Sequence, residues 1–214
     1  MKIFNDIEID LQKERILKNP PFSRWIKSGE SQYKLEKLVE KLWKEVKSYL
    51  SPQAIYRILR REKTDINKYS PPEPLLKAEF LVVGIVTIGE QVKKNPKSKF
   101  LLESLVIDAL ENVALIQAQR EVVEFIKKKA EQEDLKMTRV IPPGSGKINW
   151  GTENQEFIFK NLESEKIGVQ LTSSYSMKPI KSISFVIGLG SNIEQAKELF
   201  SCEGCKRLDC SYRT

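Results

Sequence analysis

Between Glu30 and Leu50 the apolar residues Leu35, Leu38, Val39, Leu42, Trp43, Val46 and Leu50 recur every three to four positions. That spacing predicts an amphipathic helix with one buried face, and Ser51-Pro52 is a natural stop for it. Trp43 lies on the apolar stripe and is read as core rather than as a functional aromatic. The stretch from Ala54 to Leu59 then alternates as a strand does. Phe80 to Ile88 is an almost unbroken apolar run closing at Gly89, the pattern of a strand buried on both faces. Helical spacing returns from Ser98 to about Asp134, with Leu102, Leu105, Val106, Ala109, Leu110 and Val113 on its apolar side. Asp108 breaks the apolar character of that helix; a partly exposed acid or a helix-packing hydrogen bond is favoured there over a ligand contact. Lys2 to Asp10 reads as a short strand and turn, and Asp65 to Pro74 as a polar loop.

Nearer the C-terminus, IGVQLTSSYSMKP and SISFVIGLG read as two short strands joined near Lys178-Pro179. In the second run Ile183, Phe185 and Ile187 share one face, and Ser184, Val186 and Gly188 share the other. The small face admits either a ligand or a closely packed helix. Upstream, RVIPPGSG, from Arg139 to Gly146, is a loop in which two prolines fix φ and two glycines free it. Its amides can face an anion, and Arg139 adds a cationic fork. It is not a P-loop and lacks the strand–GxGxxG–helix setting of a dinucleotide site. Helices and strands alternate without a βαβ repeat, which predicts an α+β fold with a twisted, mostly antiparallel sheet flanked by long helices.

Composition narrows the chemistry. With 214 residues, 40% hydrophobic and 30% charged, the chain suits a single domain able to bury a core. No apolar run reaches the roughly 18 residues of a membrane span, and MKIFNDIEID lacks the apolar region of a signal peptide. No membrane role is expected, and cytoplasm is the expected compartment. A net charge of +7 raises nucleic acid as a partner. Yet lysine and glutamate interleave, as in KLEKLVEKLWKEVK, which is the pattern of a solvated helix face. No nucleic-acid partner is expected. The chain contains no histidine, so Ser-His-Asp, Cys-His and HExxH chemistry are excluded.

The segments LTSSYSMKP, from Leu171 to Pro179, followed by Ser182-Ile183-Ser184, together with RVIPPGS upstream, resemble the activation domain of cobalamin-dependent methionine synthase. They are closer still to the small stand-alone proteins related to it. Members of that family carry an Arg, a Pro-Gly-Tyr turn, a helix, and a Leu-Thr-Glu-Ser-Phe-x-Met-x-Pro string before Ser-Val-Ser. Here the helix falls near Asn154 to Leu162, and VTIGEQV with the following long helix also fits. The resemblance covers roughly Glu79 to Gly190. It divides the chain into an N-terminal part of the same domain (1–78), an activation-domain-like core (79–190) and a C-terminal tail (191–214). It implies S-adenosylmethionine as ligand, with Arg139 on its carboxylate and Pro142, Pro143 and Gly144 meeting its polar atoms through the backbone. Ser145 stands where the family has Tyr, Ser173 where it has Glu, and one extra residue lies between Arg139 and Gly144. A helix carboxylate that contacts the ligand in the family falls near Glu111 or Asn112, and Glu111 is the candidate. Cobalamin would be carried by a partner, a corrinoid-binding methionine synthase subunit, with an electron donor such as flavodoxin or ferredoxin. The chain is then an accessory to a methyltransferase, not catalytic alone.

All three cysteines fall within the last thirteen residues, as Cys202, Cys205 and Cys210 in a C-x2-C-x4-C cluster. Thiolates at this spacing can chelate a soft metal, and the three leave one position open on zinc or on an iron of an Fe–S cluster. A redox disulfide pair and a tail without chemistry are the other readings. Stand-alone relatives of the resembled family carry a similar tail. The alternative function is therefore a metal- or Fe–S-bearing redox activator of another corrinoid methyltransferase, without S-adenosylmethionine binding.

Overall fold

The computed structural model describes residues 1–5, 7–10, 12–18, 22–90, 100–144 and 150–200. Its elements run β1 (Lys2–Phe4), α1 (Lys13–Leu17), α2 (Phe22–Trp25), α3 (Gly29–Tyr49), β2 (Gln53–Arg60), α4 (Glu73–Leu76), β3 (Phe80–Thr87) and α5 (Leu101–Gln132). After these come β4 (Lys136–Met137), α6 (Gln155–Lys160), β5 (Gln170–Leu171), β6 (Met177–Lys178) and β7 (Ser182–Gly190). The main sheet is five-stranded in the order β1-β2-β3-β7-β4, with every pairing antiparallel. The expected α+β class, with an antiparallel sheet and a long helix, is what the chain adopts.

Local chemistry accounts for the helix ends. Ser28 caps α3: its hydroxyl accepts from Ser31 N at 3.2 Å while Ser31 Oγ accepts from Ser28 N at 3.0 Å, a reciprocal capping box. Leu35, Val39, Leu42 and Val46 form its buried stripe. The 32-residue α5 is about 48 Å long at 1.5 Å per residue. It closes where Asp134 turns with φ 54° and Leu135 N returns to Ala130 O at 2.9 Å, a Schellman-type end.

Apolar side chains cover both faces of the sheet, which is why β3 reads as a continuous apolar run. On one face Val82, Val86, Phe185 and Ile187 meet Ala114, Ala118, Val122 and Ile126 of α5. On the other, Leu81, Val83, Ile85 and Val186 meet Leu75, Trp150, Phe157 and Ile158. A third cluster joins α1 and α3 to the first half of α5.

Two differences from the sequence expectation have physical causes. LTSSYSM is not one strand leading into the next: β5 and β6 pair with each other as a separate hairpin, because Thr172 turns the chain. Thr172 O accepts from Tyr175 N at 3.0 Å and its Oγ1 from Ser176 N at 3.0 Å. The expected loop at Asp65 to Pro74 contains a 3-10 turn at Ile66–Tyr69, held by burial of Ile66. Among the described residues no helix is long and apolar enough to cross a membrane.

Candidate functional site

The edge of the sheet from Met137 to Gly144 carries the residues singled out by sequence. Met137 pairs with Leu189, and Thr138 N donates to Gly188 O at 2.9 Å. Ile141 then bridges Val186 through reciprocal bonds of 2.9 Å each. Arg139 and Val140 therefore oppose the single residue Ile187. That is a β-bulge, which accommodates one residue beyond a regular ladder and re-aims the bulged side chain. Arg139 is half-buried, and among the described residues its guanidinium has neither hydrogen bond nor ion pair.

Beyond Ile141 the half-buried Pro142 and Pro143 have no N–H to give, so they offer a ligand only carbonyl oxygens. Gly144 has φ 79°, and a Cβ there would lie 2.4 Å from Thr152 Cγ2. Its N–H is engaged by Trp150 O at 2.7 Å. Trp150 is in turn fixed by its indole N–H to Tyr69 O at 2.8 Å. The turn is thus pinned to the core at both ends. Ser145 lies outside the described residues, as do Cys202, Cys205 and Cys210; among the described residues no cluster of potential ligands could hold a metal.

Glu111 belongs to a different network. Its carboxylate accepts from Tyr49 Oη at 2.8 Å and lies 3.7 Å from Lys181 Nζ. The same ammonium is 2.5 Å from Asp108 and 2.6 Å from Asn112 Oδ1. Burial pushes the Glu111 carboxyl above its ordinary pKa, with Tyr49 and Lys181 pulling the other way. Lys181 precedes β7, five residues before the Val186 that bridges Ile141, a distance of roughly 17 Å along the strand. The described hydrogen bonds do not join this network to the Arg139 bulge. The sequence singled out Asp108, Glu111 and Asn112 but not their joining, because Lys181 is 73 positions from Asp108 and Tyr49 is 62 from Glu111. Asp108 is mostly exposed and ion-paired, in line with the favoured reading of it.

The small face of β7 meets protein. Ser184 donates to Gln155 Oε1 at 3.0 Å, and Gln155 Nε2 donates to Tyr175 O at 2.8 Å, which ties α6 to the hairpin turn. A Cβ at Gly188 would stand 2.8 Å from Ala78 Cβ. Close packing, rather than ligand access, accounts for these small residues.

No protein-family model matches the sequence, and no curated protein matches it. Among solved structures, the chain matches the crystal structure of the MetH reactivation domain bound to AdoHcy. The TM-score is 0.52 at 16% identity, over 88% of this chain and 72% of that one. The fold is that of the reactivation domain. Within this reactivation-domain fold, the described ladder places the Arg139 bulge on the β4 edge and the Glu111–Lys181 network at the opposite end of β7.

Proposed function

We propose that this chain is the accessory, reactivation subunit of a split cobalamin-dependent methionine synthase. It binds S-adenosylmethionine at the Arg139–Gly144 edge and docks on a corrinoid protein during reductive remethylation of its cobalamin. The observation that carries the reading is Arg139 on a β-bulge, its guanidinium without a partner among the described residues, on the fold of a domain solved with AdoHcy. A guanidinium fork matches a carboxylate with two parallel N–H···O bonds. The Pro142 and Pro143 carbonyls are acceptors for the ligand's ammonium or hydroxyl groups. Gly144 serves by shape, since its N–H is spent on Trp150. The ligand supplies the methyl group and the partner's cobalamin receives it, with the reducing electron from a separate donor. This chain's part is to hold the ligand with its reactive end presented outward.

Titration calorimetry tests this directly. The wild-type chain is expected to bind S-adenosylmethionine and AdoHcy saturably. Arg139→Ala is expected to weaken both by about 1.5–3 kcal/mol, the range for a lost charged hydrogen bond. Equal affinities in variant and wild type would remove Arg139 as the carboxylate anchor. No binding by the wild type would overturn the ligand assignment.

A further inference from the structure

The sheet register sets Arg60 opposite Phe80 and Phe80 opposite Leu189. Tyr56, Ile58, Phe80 and Leu189 therefore share the α5 face at one end of the sheet. The last turns of α5 pass over that end and present Ile126 and Ala130 to it. Ala130 carries only a methyl group, and a cavity of about 150 Å³ lies between helix and sheet, lined by these six residues. An apolar cavity of that volume holds a group about the size of a benzene ring. Ile58 is 45% exposed, so the cavity opens at its side of β2. No residue of the Arg139–Gly144 turn lines it.

Two polar features break the apolar lining. Tyr56 is only 4% exposed, and among the described residues its hydroxyl makes no hydrogen bond. Burial pushes its phenol above the ordinary tyrosine pKa. A buried hydroxyl without a partner is costly, and the cavity is the space from which a partner reaches it. At the mouth stand Lys129 and Glu133, both exposed. Beside them is Arg60, whose guanidinium carbon lies 5.5 Å from the Phe80 ring centroid. Neither Lys129 nor Arg60 has an ion pair among the described residues. Two cations against one carboxylate favour an anionic group at the mouth.

We propose that this cavity binds a small hydroxylated aromatic carboxylate, with its ring among Ile58, Phe80, Ile126 and Leu189, its hydroxyl on Tyr56, and its carboxylate at Lys129 and Arg60. The Tyr56 O–H donates to the ring oxygen of the ligand. The inference uses neither Arg139 nor S-adenosylmethionine, and it stands or falls apart from that reading.

Three probes separate the contacts: 4-hydroxybenzoate, benzoate and phenol, each titrated into the full chain and followed by amide NMR. Saturable binding at one site is expected, tightest for 4-hydroxybenzoate, with shifts at Ile58, Phe80, Ala130 and Leu189 and none at Ile141 or Gly144. Tyr56→Phe is expected to weaken 4-hydroxybenzoate by roughly 2- to 10-fold, as for one lost hydrogen bond, and to leave benzoate unchanged. Lys129→Gln is expected to weaken both carboxylates by roughly 2- to 5-fold and to leave phenol unchanged. Ala130→Leu fills the cavity and is expected to abolish binding of all three probes. The first two variants are conservative, so the test does not depend on the third one folding. The site is overturned if 4-hydroxybenzoate does not bind saturably, if Tyr56→Phe weakens benzoate as much as 4-hydroxybenzoate, or if the shifts centre on Ile141. Benzoate bound equally by Lys129→Gln and wild type would overturn the placement of the carboxylate. A chain that binds 4-hydroxybenzoate but not S-adenosylmethionine keeps this site and loses the ligand assignment at Arg139; the reverse result overturns this site alone.

Discussion

Glu111 is only 5% exposed on α5, with Tyr49 of α3 donating to it and Lys181 3.7 Å away. An ion pair at that distance would ordinarily keep a carboxyl charged. Here the Lys181 ammonium is bound more closely by Asp108 and Asn112, so desolvation prevails and the Glu111 pKa is raised. Ionising a carboxyl whose native pKa exceeds its unfolded value costs native stability. The Glu111 contribution is thus complete below the unfolded value, about 4.3, and is lost as pH rises through the native value. Glu111→Gln cannot ionise, so its stability relative to wild type is expected to improve as pH rises from about 4 and to level off above the native value of Glu111. Urea unfolding of both proteins across pH reads this out, and a difference that stays constant would show that Glu111 titrates normally in the native state. At this scale the sequence was partly legible. Arg139 and the turn residues could be picked out, because Pro and Gly carry their conformational meaning with them. The bulge could not, since it exists only in the register of Thr138 and Ile141 against β7.

At the scale of elements, legibility followed periodicity. The amphipathic stripe from Leu35 to Val46 and the apolar run from Phe80 gave α3 and β3 to within a residue or two. β5 and β6 are two residues each, too short for any period to register. Their pairing depends on Thr172 hydrogen bonds and on Gln155, twenty positions from Tyr175. A different long-range fit is recorded at the centre of the sheet. Gly84 stands opposite Phe185, and a Cβ on Gly84 would come within 2.4 Å of the ring. The missing side chain is what lets the aromatic ring lie across β3 beneath α5. Gly84→Val is expected to destabilise the protein by about 1–3 kcal/mol through overpacking. Adding Phe185→Leu should recover part of that loss, because the ring is the obstacle. A double variant that loses as much stability as Gly84→Val and Phe185→Leu lose in sum would show that the two residues are not coupled.

At the scale of the molecule, the sheet is covered on both faces by buried apolar clusters, so its β4 edge is left to be protected by other means. A two-residue edge strand followed by a bulge exposes backbone groups that invite pairing with another chain. Gln195, Ala196 and Leu199 satisfy three of those groups at Met137 and Val140, and Leu199 and Phe200 add apolar cover. The same four residues therefore stabilise the edge and hold the backbone on either side of Arg139. Two truncations separate this cover from whatever follows it. A chain ending at Phe200 keeps every one of these contacts and is the reference for the shorter one. A chain ending at Glu194 loses the three hydrogen bonds and both side chains. At about 1 kcal/mol per bond and about half of the roughly 1.5–3 kcal/mol of a fully buried side chain for each of these half-buried ones, its destabilisation should reach roughly 3–6 kcal/mol. It should also lose whatever affinity resides at Arg139, since Val140 N then has no acceptor and the bulge no outer support. Chemical denaturation and ligand titration on the two truncated chains check both expectations. If the shorter chain were as stable as the longer, the segment would be an appendage to the edge, and the bulge would owe its shape to β7 alone.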